Sequence, residues 1–469
     1  MRKDLPWGVN LCGYFRSEKG TGEAVRAIER ILIAGGIPFA PIVISDNTAK
    51  NSEDSAHPDA PVIIPGDKLV IGGVANSKPT HSVTNSKITD FTKEINPYRV
   101  NHLVVNADQI GVLAETCGRA FFKDRYTIGC WNWELSKFPS RWSSAFDYFD
   151  ELWVPSTFIQ KTLQPLTTIP VRCLPYSIDI DDIRDKQDKS FLRKKFGLPQ
   201  SGFIFYFAFD YLSILERKNP QGLIRAFSRA FSNQTDVYLL LKTSHAEQLP
   251  SEHRKLISLA GERSNIIWID EIFSRSDSLA LMQAVDSIVS LHRSEGFGFL
   301  LAEAMAMGKP VVTTTYSAPG DWLTEENCFP IGYRLIELAQ DYGPYEKGGM
   351  WAEPEEEQVV AQLRMAVENR TQTQKISARG RKDIREKLAP EQLAKQVIPL
   401  LEQLRTRSPN GKAEKILKKR ALAQRKSVGF YLKKYAKKLI KRLLKPVIRS
   451  VYDWEKFKKW LGFGGKVNQ

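Results

Sequence analysis

The chain has 469 residues, 42% of them hydrophobic, which is too much sequence for one ordinary core and enough for two domains and an appendage. Its five cysteines are scattered and never spaced C-x-x-C, so neither a disulfide framework nor a thiolate metal site is predicted, and a reducing compartment fits. The formal charge of +15 misleads as an average, because about +16 of it lies after Pro409, leaving a near-neutral body and a basic tail.

The opening stretch, MRKDLPWGVNLCGYF, has no long apolar run before a small-residue cleavage site, and nowhere do eighteen apolar residues follow one another. A cytoplasmic chain that neither enters the secretory route nor spans a membrane is expected. GVNLCGYF reads as a strand, followed by the turn FRSEKGTGEAVRA with Gly20 and Gly22, and by the helical AVRAIERILIAGG. That order is βαβ in character. Residues from Ser45 to Asp67 are polar and contain proline, and read as an irregular excursion. LVIGGV, NHLVVNA, YTIGCWNW, ELWVPS and VRCLPYSI are further strand candidates, several of them continuous apolar runs suited to a parallel sheet covered on both faces.

The charged stretch DIDDIRDKQDKSFLRKKFGLPQ reads as a connection, after which the alternation restarts with FIFYFAFDY, VYLLLKTSH, NIIWIDE, SIVSLHRS and PVVTTTY. From about Glu353 to Leu404 the pattern turns helical. Two doubly wound domains place ligands at the carboxyl ends of their strands, in the crevice between them.

In SLHRSEGFGFLLAEAMAMGKPVVTTTY an apolar strand ends in a glycine-containing turn that opens directly into a helix closed by Gly308. Free backbone N–H groups and the positive dipole end make such a terminus an anion site, here built from Gly296, Phe297 and Gly298. Glu295 before the helix and Glu303 within it stand about two turns apart, and carboxylates suit sugar and ribose hydroxyls. FDYLSILERKNPQGLIRAF puts Arg217 and Lys218 before another helix, where two cations could neutralise a departing diphosphate; the alternative is a solvated charge pair.

These blocks resemble the large family of retaining GT-B glycosyltransferases, the glycosyl transferases group 1, which carry a Glu, seven residues, Glu motif followed by a G-x-P-V-V strand. The resemblance implies two Rossmann-like domains facing a cleft. The first, at 1–185, is on the acceptor side; the second, at 186–375, binds the nucleotide-sugar. Helices at 376–408 cross back to the first domain, and a basic helical tail occupies 409–469. It implies that Glu295 contacts the transferred sugar, Glu303 the ribose, and Arg217 and Lys218 the diphosphate. Gly20 and Gly22 resemble the family's glycine-rich loop. YTIGCWNWELSKFPSRW and DELWVPSTF resemble a mannosyltransferase-like subset; where many relatives have a histidine, this chain has Trp133 and Glu134. Glu134 and Asp108 are therefore the acceptor-side candidates, with Trp133 either a platform for a sugar ring or a core residue.

The implied reaction moves a mannose- or glucose-type hexose from a UDP- or GDP-sugar to a glycan or lipid-linked acceptor, with retention and with neither cofactor nor essential metal. Cell-envelope polysaccharide or glycolipid synthesis is the implied setting. The D-x-D at Asp179 to Asp181 reads as a solvated acidic linker. His292 reads as a structural residue or a wall of the donor pocket. After Pro409, Leu432, Tyr435, Leu439, Leu443 and Val447 recur at helical spacing among lysines and arginines, with Pro446 to break the helix and Trp454 and Trp460 to follow. Residues 412–463 thus read as a peripheral anchor on anionic lipid, in preference to a nucleic-acid arm. The rival readings are a same-fold sugar-nucleotide epimerase, a glycan phosphorylase, for which no cofactor-binding lysine is visible, and a non-catalytic scaffold bound to membrane or nucleic acid through the tail.

Overall fold

The computed structural model describes residues 5–45, 57–65, 95–179 and 187–423, with the backbone alone at 68–70. Two compact units divide the chain, Met1–Lys412 and Ala413–Gln469, and the sheets described below belong to the first. The tail residues from Leu432 onward, and Asp181 of the acidic stretch, lie outside the described residues.

The first sheet contains β1 (Val9–Gly13), β2 (Phe39–Ile44), β3 (Val62–Ile64), β4 (Lys68–Val70), β5 (Val100–Val104), β6 (Tyr126–Cys130), β7 (Glu151–Val154) and β8 (Val171–Cys173). Their order is β4-β3-β2-β1-β5-β6-β7-β8, parallel except for the β3–β4 pair. The second contains β9 (Phe203–Asp210), β10 (Val237–Ser244), β11 (Ile266–Asp270), β12 (Ser287–Ser290), β13 (Val311–Thr314) and β14 (Phe329–Ile331). Its order, β11-β10-β9-β12-β13-β14, is the 3-2-1-4-5-6 arrangement of a Rossmann sheet.

The sequence explains why β9 is central. Phe205, Phe207 and Phe209 pack into one core and Ile204 and Tyr206 into the other, so a period of two fills both faces with apolar side chains. The helix Gly20–Ala34 follows β1 closely because Gly13 has no side chain; a Cβ there would stand 2.8 Å from Val25. The helix Arg370–Leu388 is followed by Pro390–Gln403, whose Leu393, Val397 and Leu401 join Ile28, Ile31 and Leu32 in one core. The helix Pro390–Gln403 therefore packs against the first lobe through the helix Gly20–Ala34.

Three parts differ from the pattern read in the sequence. The polar excursion from Ser45 to Asp67 contains a strand, β3, because the short apolar run Val62–Ile64 can extend the edge of the sheet beside β2. Strand β6 stops at Cys130, before the tryptophans, so WNWEL is a loop at the strand's carboxyl end. Beyond β14, β15 (Tyr333–Glu337) and β16 (Met350–Pro354) form an antiparallel hairpin outside both parallel sheets.

Candidate functional site

Each parallel sheet reverses its strand order once, at β1/β5 and at β9/β12, and the carboxyl ends there open onto one cleft of about 540 Å³. Its wall is formed from the first sheet by Glu18 to Thr21, Asn106, Asn132 and Glu134. The second contributes Phe207 to Asp210, Arg217, Lys218, Lys242, Ser290 and the run from Glu295 to Leu301. Switch points are where open α/β sheets bind ligands, since neighbouring loops part there.

Glu295 sits at the centre. Lys218 donates to its Oε1, and Arg217 Nη1 lies 3.4 Å from Oε2 while donating to the Ser294 carbonyl at 2.8 Å. Burial alone would raise the Glu295 carboxyl, but Lys218 and Arg217 outweigh it and hold it down at about 2. Its backbone is fixed by Ser317, whose Oγ accepts from Glu295 N at 2.8 Å and donates to Glu295 O at 3.1 Å. Gly298, with φ of +92°, turns the chain from this loop into the helix Phe299–Ala306, a conformation that L side chains rarely adopt. Two cations, one carboxylate and a helix N-terminus thus converge where a diphosphate and a sugar can lie side by side.

Glu303 is placed differently. It is buried under the wall and receives a hydrogen bond from Arg275, whose Nη2 also stands 3.8 Å from Glu23 Oε1 on the first-lobe helix. Burial raises the Glu303 carboxyl, and Arg275 offsets this only in part. Glu23 moves the other way, down to about 2, because Arg275, Arg30 and Arg26 together overcome its burial. One arginine therefore links the two lobes beneath the cleft. It was not anticipated, and only its position at the start of the helix Arg275–Ala284 after β11 signals it.

On the first lobe, Gly20 and Gly22 have different jobs. Gly20 begins the helix at the cleft wall with open space at its Cα. Gly22 faces inward, where a Cβ would lie 2.0 Å from the Ser17 carbonyl oxygen, so it serves loop packing rather than a ligand. Asp108 is exposed and off the wall; Asn106, two residues earlier, is on it and accepts from Asn132 N at 2.9 Å. Trp133 is a core residue, edge-on to Phe138, Trp142 and Tyr345 with centroids 5.5 to 5.6 Å away, and its indole N–H donates to Lys137 O. Its neighbour Glu134 faces the cleft and accepts from Tyr345 Oη at 2.9 Å.

Lys242 was also missed, because a lone lysine inside the apolar strand VYLLLKTS looks like an exposed strand position. It reaches the cleft wall, and burial pulls its ammonium below the usual lysine range against the opposing charges of Asp210, Asp270 and Glu271. His292 is fully buried, bonded through Nδ1 to Ser290 Oγ, and is not part of the wall.

Two Rossmann-like lobes facing a charged cleft define the GT-B class of fold. Residues 207–335 match the family described as "Glycosyl transferases group 1", so the second lobe is a glycosyl transferases group 1 domain and the chain a glycosyltransferase. Structural comparison agrees on the fold. HepE of Anabaena, solved with UDP and glucose, superposes with a TM-score of 0.60 at 14% identity, over 85% of this chain and all of that one. Sucrose-phosphate synthase of Thermosynechococcus elongatus gives 0.57 at 14% identity, over 85% and 99%. A glycosyltransferase of Rickettsia africae gives 0.59 at 14%, over 85% and 98%. Comparison of the sequence with curated proteins finds no match.

Proposed function

We propose that this chain transfers a hexose of the mannose or glucose type from a UDP- or GDP-sugar to a hydroxyl of a glycan or lipid-linked acceptor, with retention of configuration. The observation that carries it is the meeting of Arg217, Lys218 and Glu295 beside the Gly298 helix terminus, at the switch point of the second sheet. As the donor's glycosidic C–O bond breaks and the acceptor oxygen bonds to the same carbon, negative charge grows on the leaving diphosphate, whose oxygen takes the acceptor's proton. Lys218, Arg217 and the backbone N–H groups after Gly298 lie ready to neutralise it in a site partly shielded from water. Glu295, ionised and held by the same cations, accepts from hydroxyls of the sugar that is moved.

HepE of Anabaena was also solved with UDP-glucose, which makes a uridine donor the first to try. Arg217 and Lys218 supply the positive charge at the diphosphate, and activity is expected to persist in EDTA. Glu303 is the ribose partner in this reading, which requires Arg275 to yield one carboxylate oxygen when nucleotide binds. The tail at 412–463 is proposed to hold the enzyme on an anionic cytosolic membrane face, and so near a cell-envelope acceptor. No helix among the described residues is long and apolar enough to cross a membrane.

The test is incubation with UDP- and GDP-hexoses and neutral or lipid-linked glycans, with the product's anomeric coupling read by NMR. Transfer with the donor's configuration is expected. An inverted product refutes retention, and a free epimer without acceptor use replaces this reading with the epimerase.

A further inference from the structure

The hairpin β15–β16 lies almost wholly beyond the family match, which ends at residue 335. Its connecting loop leaves the second lobe and straps onto the first. Arg141 pairs with Glu346 at 2.5 Å and donates to Pro344 O at 3.2 Å, and Lys137 Nζ donates to Lys347 O at 2.9 Å. Between these anchors the loop delivers Tyr345, only 4% exposed, edge-on to Trp133. Its hydroxyl donates to Glu134 Oε2 at 2.9 Å.

That bond uses one oxygen of the Glu134 carboxylate. The other faces the reacting region: a side chain built on Gly296, next to Glu295, would come within 3.5 Å of Glu134 Oε1. Glu134 forms no ion pair within 4.0 Å among the described residues; its nearest counter-charge is the Arg217 guanidinium, which it stabilises from farther away, so Oε1 keeps its capacity to accept. A carboxylate oxygen that is held in place and not ion-paired binds an O–H donor strongly and repels a phosphate or another carboxylate. The rest of the first-lobe wall has the same character. Asn106 and Asn132 are amides, and Glu18 and Glu134 outnumber the single cation, Lys19.

We propose, resting on the transferase reading above, that Tyr345 is a positioning residue that aims Glu134 at an acceptor hydroxyl, and that this subsite takes a neutral sugar. The second lobe thereby completes the acceptor side of the first. Fixing the carboxylate in advance removes the rotamer freedom that binding would otherwise have to freeze.

The experiment uses the full chain and compares wild type with Tyr345→Phe, Glu134→Gln, the double variant, and Glu346→Gln as a strap-only control. Acceptor KM and kcat are measured with neutral oligosaccharides and with phosphorylated counterparts, and UDP affinity is measured in parallel as a report on fold and donor site. Tyr345→Phe is expected to raise the acceptor KM at least tenfold with UDP affinity within twofold of wild type. The double variant should be no worse than Glu134→Gln, Glu346→Gln should raise the acceptor KM less than Tyr345→Phe does because the bonds to Pro344 O and Lys347 O remain, and neutral acceptors should be preferred at least tenfold. An unchanged acceptor KM in Tyr345→Phe, a parallel loss of UDP affinity, additive losses in the double variant, or preference for phosphorylated acceptors each overturns the proposal. Absence of transfer by the wild type removes the transferase reading as well, whereas wild-type transfer left intact by Tyr345→Phe overturns this inference alone.

Discussion

Lys218 and Arg217 touch the same carboxylate but differ in what holds them. Arg217 is buried, 7% exposed, and also bonds the Ser294 carbonyl, so removing it unpairs buried groups as well as the diphosphate site. Lys218 is the cleaner probe. Lys218→Ala is expected to lower kcat by about 100- to 1000-fold, the usual loss for one preorganised group opposite developing charge, with the fold retained. A steady-state assay beside a circular dichroism melt checks this. Two buried histidines predict the response to acid. Burial pulls His102 to about 3 and His292 to about 4 from an ordinary 6.5, with Lys218 and Arg217 aiding at His292 against Glu295. The unfolded chain binds a proton at each below about pH 6.5, while the folded chain does so only far lower. Stability is therefore full above that pH and falls as pH drops towards 4, by about 1 kcal/mol per histidine at about pH 5.5. Urea unfolding from about pH 7 to 5 measures it. Glu295, whose folded value is depressed to about 2, adds its own loss only below about pH 4.5.

Among the elements, the strands and the helix after Gly298 were legible because their signals are local: apolar runs between turn residues, and glycines where backbone meets ligand. Glu295, Arg217 and Lys218 were legible for the same reason. Gly20 and Gly22 show the limit. Sequence treats them as a pair, yet one opens onto the cleft and the other is wedged against a carbonyl, and only folded backbone separates the two. Gly22→Ala should destabilise the chain by about 1 to 3 kcal/mol, as forced strain or a clash does, and Gly20→Ala by less than about 1 kcal/mol. Thermal melts of both decide; equal effects would contradict the packing. Trp133 was left open between platform and core and is core, whereas Asp108 and the β15–β16 hairpin were misjudged or missed, because side-chain direction and contacts between distant segments leave no mark in a local pattern. Tyr345 and Glu134 are 211 positions apart.

At the scale of the whole molecule, the lobes are joined by Arg275 under the cleft, by Asp321 accepting from Thr157 N at 2.6 Å, and by the hairpin strap. Arg275→Ala leaves Glu23 and Glu303 buried without their shared cation and should cost about 3 kcal/mol of stability, read by urea denaturation. The tail belongs to this scale too. Flotation with vesicles of anionic lipid should carry the full chain upward and leave a form ending near residue 409 behind, and equal behaviour of the two would remove the anchor reading. The central claim is the donor cleft, and calorimetric titration with UDP-, GDP-, ADP- and dTDP-sugars, with and without EDTA, for wild type and Glu303→Ala, tests it most directly. Selective binding of one nucleotide-sugar, indifferent to EDTA and weakened by the substitution, is the predicted result. Absence of binding by any of the four would contradict the account and return the weight to a non-catalytic scaffold.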